Sequence, residues 1–175
     1  IEQAESSGQA KQNWEPTQVG EINIHIKADG QWFHDGRPFK RLALVKLFAS
    51  VLRREGNTHY LITPGEKLEI QVDDAPFVAT TMELLNNSDH QALTFTTTLG
   101  DSIIADKQHP IRVETDPVTG LPRPYIHFRN GLEALISRSA FVDLANTAKA
   151  VERNGDTHLI VHSMGAEFSL GICDE

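Results

Sequence analysis

An internal repeat constrains this chain more than any other feature of its sequence. Phe33-His34-Asp35-Gly36, an apolar-periodic stretch and Gly56-Asn57-Thr58-His59 recur as Phe128-Arg129-Asn130-Gly131, a second such stretch and Gly155-Asp156-Thr157-His158. The offset is 95 residues at the glycine turn and 97 in the next stretch, where Arg41, Val45 and Leu47 match Arg138, Val142 and Leu144. It becomes 99 at Gly56/Gly155 and 100 beyond, where Gly65, Leu68, Ile70 and Val72 match Gly165, Phe168, Leu170 and Ile172. A repeat is one supersecondary unit that buries its apolar face with help from its copy, so it sets architecture before chemistry.

Alternation and turn signals give the content of each copy. Ile22, Ile24 and Ile26 alternate with polar residues as a half-buried strand does. Asp35-Gly36 and Asn130-Gly131 lie between short β-prone runs, where a two-residue hairpin needs φ > 0 at both positions. Leu44, Val45, Phe48, Val51 and Leu52, widened by Leu42 and Leu47, predict a helix from Arg41 to Glu55 that stops at Gly56. Phe141, Leu144, Ala145, Ala148 and Val151 predict its counterpart, capped by Ser137 or Ser139 and stopped by Gly155. Strands then follow at 59–63, 68–72, 158–162 and 168–172, and Thr63-Pro64-Gly65-Glu66 reads as a type II turn. Between the copies, 77–85, 93–99 and 111–113 are strand-like, 86–89 is a turn and the proline-rich 116–124 is a stiff loop.

The fold class is therefore α+β: a two-domain, duplicated hairpin–helix–hairpin core with mostly antiparallel sheets. Residues 1–20 read as a polar lead-in, 21–76 as an N-terminal domain with the first repeat, and 77–175 as a C-terminal domain holding a meander and the second repeat. The 175 residues suffice for a sizeable core.

The net charge of −8 argues against a surface that tracks nucleic-acid phosphates. The charge is blocked, though: six basic residues and one acid lie between Arg37 and Glu55, and six acids and one lysine between Thr63 and His90. Such blocks either pair across the fold or leave a basic surface for a small anion. Cys173 is the single cysteine, which excludes an internal disulfide and makes a reducing cytoplasm the expected location. No apolar run approaches the roughly 20 residues of a bilayer span, and the lead-in lacks the basic-then-apolar pattern of a signal peptide.

The chain resembles the bacterial family known as domain of unknown function 1285. The resemblance is carried by Asp29-Gly30-Gln31-Trp32, Gly36-Arg37-Pro38-Phe39-Lys40-Arg41, Leu47-Phe48, Thr63-Pro64-Gly65-Glu66 and Val72-Asp73-Asp74-Ala75-Pro76-Phe77. His109-Pro110-Ile111-Arg112-Val113 and Arg129-Asn130-Gly131-Leu132-Glu133-Ala134 extend it, so that it covers residues 22 to 173. It implies a duplicated α+β core with a pleckstrin-homology-like C-terminal half. It also implies a ligand site between the halves, of nucleotide-like specificity, and a signalling role. No catalytic activity or cofactor comes with it.

Arg41 and Arg138 begin the two expected helices, where the helix dipole disfavours a cation by some tenths of a kcal/mol. A matched pair in that position points to an anion, either a phosphate on the first-turn N–H groups or a structural carboxylate. Arg129 and Lys40 would help contact such a ligand, with Glu66 and Asp73 holding the basic groups. Asp73 and Asp74 are adjacent on a strand and point to opposite faces, so they do not chelate together. His158 and His162 stand about 13 Å apart at strand rise, too far for one zinc ion. His59 and His158 each follow a glycine stop, and strand entry explains them. Trp32, Phe33 and Phe39 suit either a stacked base or the core of the first hairpin.

No phosphate-binding glycine loop, nucleophile elbow or metalloprotease motif occurs. These features favour a non-enzymatic protein binding a small anionic, nucleotide-like ligand in a regulatory role. A protein–protein interaction module that uses exposed strand edges is the alternative, and an enzyme of undefined type the third reading.

Overall fold

A computed structural model of the protein describes residues 13–87 and 90–173. Most of the polar lead-in and residues 88 and 89 of the expected 86–89 turn lie outside these. The described residues form fifteen strands and two helices. The strands are β1 (Val19–Ile26), β2 (Trp32–His34), β3 (Arg37–Pro38), β4 (Leu52–Glu55), β5 (Thr58–Ile62), β6 (Lys67–Val72), β7 (Phe77–Asn87) and β8 (His90–Thr97). They continue as β9 (Ser102–Ile104), β10 (Ile111–Thr115), β11 (Pro122–Arg129), β12 (Leu132–Ile136), β13 (Lys149–Arg153), β14 (Asp156–Ser163) and β15 (Ala166–Cys173). Helix α1 (Leu42–Ser50) joins β3 to β4, and α2 (Arg138–Asn146) joins β12 to β13.

The chain is α+β and internally duplicated. The succession β1-β2-β3-α1-β4-β5-β6 recurs as β10-β11-β12-α2-β13-β14-β15, with β7, β8 and β9 between the copies. In both copies a hairpin turns on a pair of positive-φ residues, Asp35-Gly36 (50° and 78°) and Asn130-Gly131 (48° and 77°). That geometry matches the right-handed twist of the flanking strands.

Both helices are shorter than their apolar periodicity predicts. Helix α1 ends at Ser50, and residues 52–55, expected as its last turn, form β4 against β5. Helix α2 ends at Asn146, and 149–153 form β13 against β14. Gly56 and Gly155 are thus hairpin-turn residues, not helix caps. In a short apolar run periods of 2 and 3.6 look alike, and cross-strand pairing decides. Each copy is accordingly hairpin, helix and three-stranded meander. Within the helices the buried residues are Val45 and Ala49 in α1, and Ala140 and Leu144 in α2. Leu42 and Leu47, expected inside, are 54% and 58% exposed.

Two further local readings change. Gly65 has no positive φ, so the 63–66 turn is not type II; the Glu66 amide instead donates to Thr63 Oγ1 at 3.2 Å. The proline-rich segment gives up its last residues to β11, which starts at Pro122 and pairs with β10.

The chain divides into two compact units, residues up to Pro76 together with 130–132, and 77–129 together with 133–175. The first unit carries a six-stranded sheet in the order β3-β2-β1-β6-β5-β4, antiparallel except at the β1–β6 pair. Its core contains Ile24, Ile26, Trp32, Val45, Leu52, Leu61 and Ile70. Trp32 packs edge-on against Phe39 (6.3 Å between centroids), which does the same to Phe48 (5.9 Å). Trp32 is 3% exposed and is core.

The second unit holds the sheet β10-β11-β12-β7-β8-β9, whose parallel pair is β12–β7, and a three-stranded sheet β13-β14-β15. Buried Ser163 ties β14 to the larger sheet by accepting from the Leu93 amide (2.9 Å) and donating to the Ala105 carbonyl (2.6 Å). No helix among the described residues is long and apolar enough to cross a membrane.

Candidate functional site

The first unit's sheet is irregular where its two parallel strands meet. Glu21 is in register with Glu69 and His25 with Gln71, so β1 advances from 21 to 25 while β6 advances only from 69 to 71. The extra length of β1 breaks the ladder, as bulges do where a strand is bent and its side chains re-aimed. An open cleft of about 700 Å³ lies there. Glu21, Asn23, His59, Glu69, Ile70 and Gln71 are among its lining residues, all from the first unit.

His59 comes from β5, opposite Arg54 of β4 and Ile70 of β6. The side chain is 8% exposed, and Nε2 is buried with no hydrogen-bond partner among the described residues. Burial above all, and the nearby Arg54 charge after it, lower its pKa to about 4. The imidazole is therefore neutral at pH 7. A buried ring nitrogen without a partner carries a desolvation penalty of about 1–3 kcal/mol.

Glu21 and Glu69 give the cleft its charge. Register partners on parallel strands present their side chains to the same face, so the two carboxylates are neighbours. Both are exposed, and neither is ion-paired or hydrogen-bonded through its carboxylate among the described residues. Nearby Lys67 is engaged elsewhere, on Glu55 and over the Tyr60 ring at 4.5 Å. Among the described residues no Lys or Arg lines the cleft. Chemically the arrangement offers two anionic acceptors, several amides and one neutral imidazole.

The residues singled out by sequence lie elsewhere. Lys40, Arg41, Glu66 and Asp73 belong to the first unit, Arg129 and Arg138 to the second. Arg41 is the N-cap of α1 and Arg138 the first residue of α2; both are exposed and without a partner among the described residues. Lys40 and Glu66 are exposed as well. Asp73 holds His25 at 2.6 Å, the partner it takes in place of a basic residue of the 37–55 block. Arg129 is half-buried over the rings of Phe128 (5.2 Å) and Phe77 (5.8 Å), and burial lowers its pKa against the opposing pull of Asp101. None of the six lines the cleft.

Sequence reasoning missed the cleft, which borders a register shift that no single segment reports. Glu21 and Glu69 carry no motif, and His59 reads as strand entry. The one available signal was an ionisable residue in an otherwise apolar-alternating strand, Thr58 to Ile62. Among the described residues no group of three or more His, Cys, Asp or Glu side chains is placed to hold a metal ion.

Two solved structures are similar to this chain. A DUF1285 family protein from Silicibacter pomeroyi DSS-3 is 42% identical with a TM-score of 0.85, over 95% of this chain and 93% of that one. A DUF1285 family protein from Shewanella baltica OS155 is 25% identical with a TM-score of 0.55, over 70% of this chain and 90% of that one. No curated protein matches. Residues 11–75 match the domain of unknown function (DUF1285), N-terminal domain, and residues 76–170 the protein of unknown function (DUF1285), C-terminal domain. Matched across both halves, this chain belongs to the DUF1285 family.

Proposed function

We propose that this chain is a small-ligand-binding protein with a regulatory, non-enzymatic role, and that the first-unit cleft is its ligand site. The observation that carries the reading is His59: a neutral, buried imidazole whose Nε2 has no partner among the described residues, from a strand that lines an open cleft. A chain folding only for stability gains nothing from an orphaned polar atom, whereas a binding site gains a directional contact. The lone cysteine supports a reducing, cytoplasmic setting.

A thermal-shift screen over amines, polyols, nucleotides and inorganic anions tests it. A ligand at a hundred times its Kd stabilises the fold by about 2.7 kcal/mol. The reading expects at least one class to raise the midpoint, with the gain lost in Glu69→Gln. It fails if no class moves the midpoint.

A second reading has an observation of its own. Arg41 and Arg138 start equivalent helices in the two copies and are exposed and unpartnered among the described residues. An anionic, nucleotide-like ligand would complement either one, with Lys40 beside Arg41, Arg129 in the second unit, and Glu66 and Asp73 as orienting groups. Phosphate or nucleotide hits abolished by Arg41→Ala or Arg138→Ala, yet kept in Glu69→Gln, favour this second site.

A further inference from the structure

We propose that helix α1 docks the protein on an anionic lipid surface, with Ala43, Leu44 and Leu47 entering the headgroup–acyl boundary and Lys40, Arg41 and Lys46 meeting the lipid charges. The inference is independent of the ligand cleft.

Helix α1 buries one face and leaves the other apolar. Val45 and Ala49 go into the core of the first unit. Leu44 and Leu47, three residues apart, share the opposite face with Ala43, four residues before Leu47. Leu44 is 37% exposed and Leu47 58%, and Leu42, one turn before Lys46, is 54% exposed. The fold does not impose this. Helix α2, in the same place in the second copy, exposes Arg138, Ser139, Asp143 and Asn146 beside Val142. An exposed leucine ridge rimmed by polar residues, and lacking in its duplicate, marks an interaction site rather than a packing need.

Charge decides what covers the ridge. From Arg37 to Ser50 the sequence carries Arg37, Lys40, Arg41 and Lys46 and no acid. All four are exposed, and none is ion-paired among the described residues. A second copy docked through the same face would set these cations against themselves, a like-charge contact. The partner is anionic. A stable protein interface buries about 800 Å² a side. Three part-exposed leucines offer far less, and the inner face of α1 is already buried, so no partner can wrap the helix. A lipid surface needs neither a groove nor a large area: the apolar tips insert, while Lys and Arg snorkel to the headgroups and each adds attraction. The net charge of −8 opposes an anionic surface at long range. Contact is thus confined to this cluster, within a Debye length of about 8 Å at physiological salt, and the docking is oriented.

The test is co-sedimentation of the full chain with vesicles of phosphatidylglycerol and phosphatidylcholine, against vesicles of phosphatidylcholine alone. The expected result is binding to the anionic vesicles only, weakened by added salt. Leu47→Gln should lower the partition coefficient about tenfold. Lys40→Gln and Lys46→Gln should lower it about fivefold each, and Val142→Gln on α2 should leave it unchanged. All four side chains are exposed, so the variants keep the core. In Leu47→Trp, the indole emission should move to shorter wavelength on the anionic vesicles as the ring leaves water. No binding to anionic vesicles, equal binding to both kinds, or binding untouched by the Leu47 and lysine variants overturns the proposal. Dimerisation that Leu47→Gln abolishes, without vesicle binding, overturns it in favour of a second copy. Binding to polyglutamate without vesicle binding overturns it in favour of an acidic protein.

Discussion

Glu21 and Glu69 stand opposite each other across the parallel β1–β6 ladder, with no cation paired to either among the described residues. Removing one charge relieves the repulsion without touching the core. Glu69→Gln is expected to stabilise the ligand-free chain by a few tenths of a kcal/mol, up to about 1. Urea unfolding midpoints at low salt measure this, and the gain should shrink at high salt. A destabilised Glu69→Gln would mean that the carboxylate has a structural partner.

His59 makes stability pH-dependent in a defined direction. Its folded pKa of about 4 lies below the usual histidine value of 6.5. Between those values the unfolded chain binds the extra proton and the folded chain does not, so stability rises with pH across that window. The neutral ring's advantage is complete above pH 6.5 and is lost as pH falls towards 4. With screening through the open cleft allowed for, it amounts to roughly 2 kcal/mol. Stability measured from pH 4 to 7 in wild type and His59→Gln should show the variant with a flatter profile. Parallel profiles would contradict the assignment.

The two helix starts are expected to respond in opposite ways. Ser137 caps α2 by accepting from the Ala140 amide at 3.3 Å, whereas Arg41 occupies the N-cap of α1 with no side-chain bond. Ser137→Ala should lose about 1 kcal/mol, and Arg41→Asp should gain a comparable amount because Arg41 already has the extended backbone of a cap. Thermal unfolding of both variants compares them directly. If Arg41→Asp also abolishes phosphate or nucleotide binding, the stability forgone at that position has a functional reason.

Ser163 is a costly polar position to lose. It is 1% exposed and satisfies both the Leu93 amide and the Ala105 carbonyl. Ser163→Ala leaves two buried backbone groups unpaired and should destabilise the second unit by about 2–4 kcal/mol. An effect below about 1 kcal/mol in denaturant unfolding would mean that water enters and replaces the hydroxyl.

The architecture was largely legible because duplication writes the same turn chemistry twice. Asp35-Gly36 and Asn130-Gly131 are hairpin turns whose φ values nearly coincide, and dipeptides of this kind admit few alternatives. The helix ends were not legible. Leu52 to Glu55 and Lys149 to Arg153 are strands because β5 and β14 pair with them, and no local signal reports that pairing. The cleft was less legible still. It borders two extra residues in β1 between the Glu21 and His25 pairs, and register is a property of two strands at once. Arg41 and Arg138, by contrast, stand out in sequence as matched charges and do lie at the two helix starts, Arg41 as the N-cap of α1 and Arg138 as the first residue of α2.

The most direct test of the ligand cleft is nuclear magnetic resonance of the His59 ring nitrogens during titration with a compound that raises the thermal midpoint. The expected result is that the His59 signals move as the cleft fills and saturate together with the thermal gain. If the compound binds and the His59 signals stay fixed through saturation, the ligand site is not this cleft.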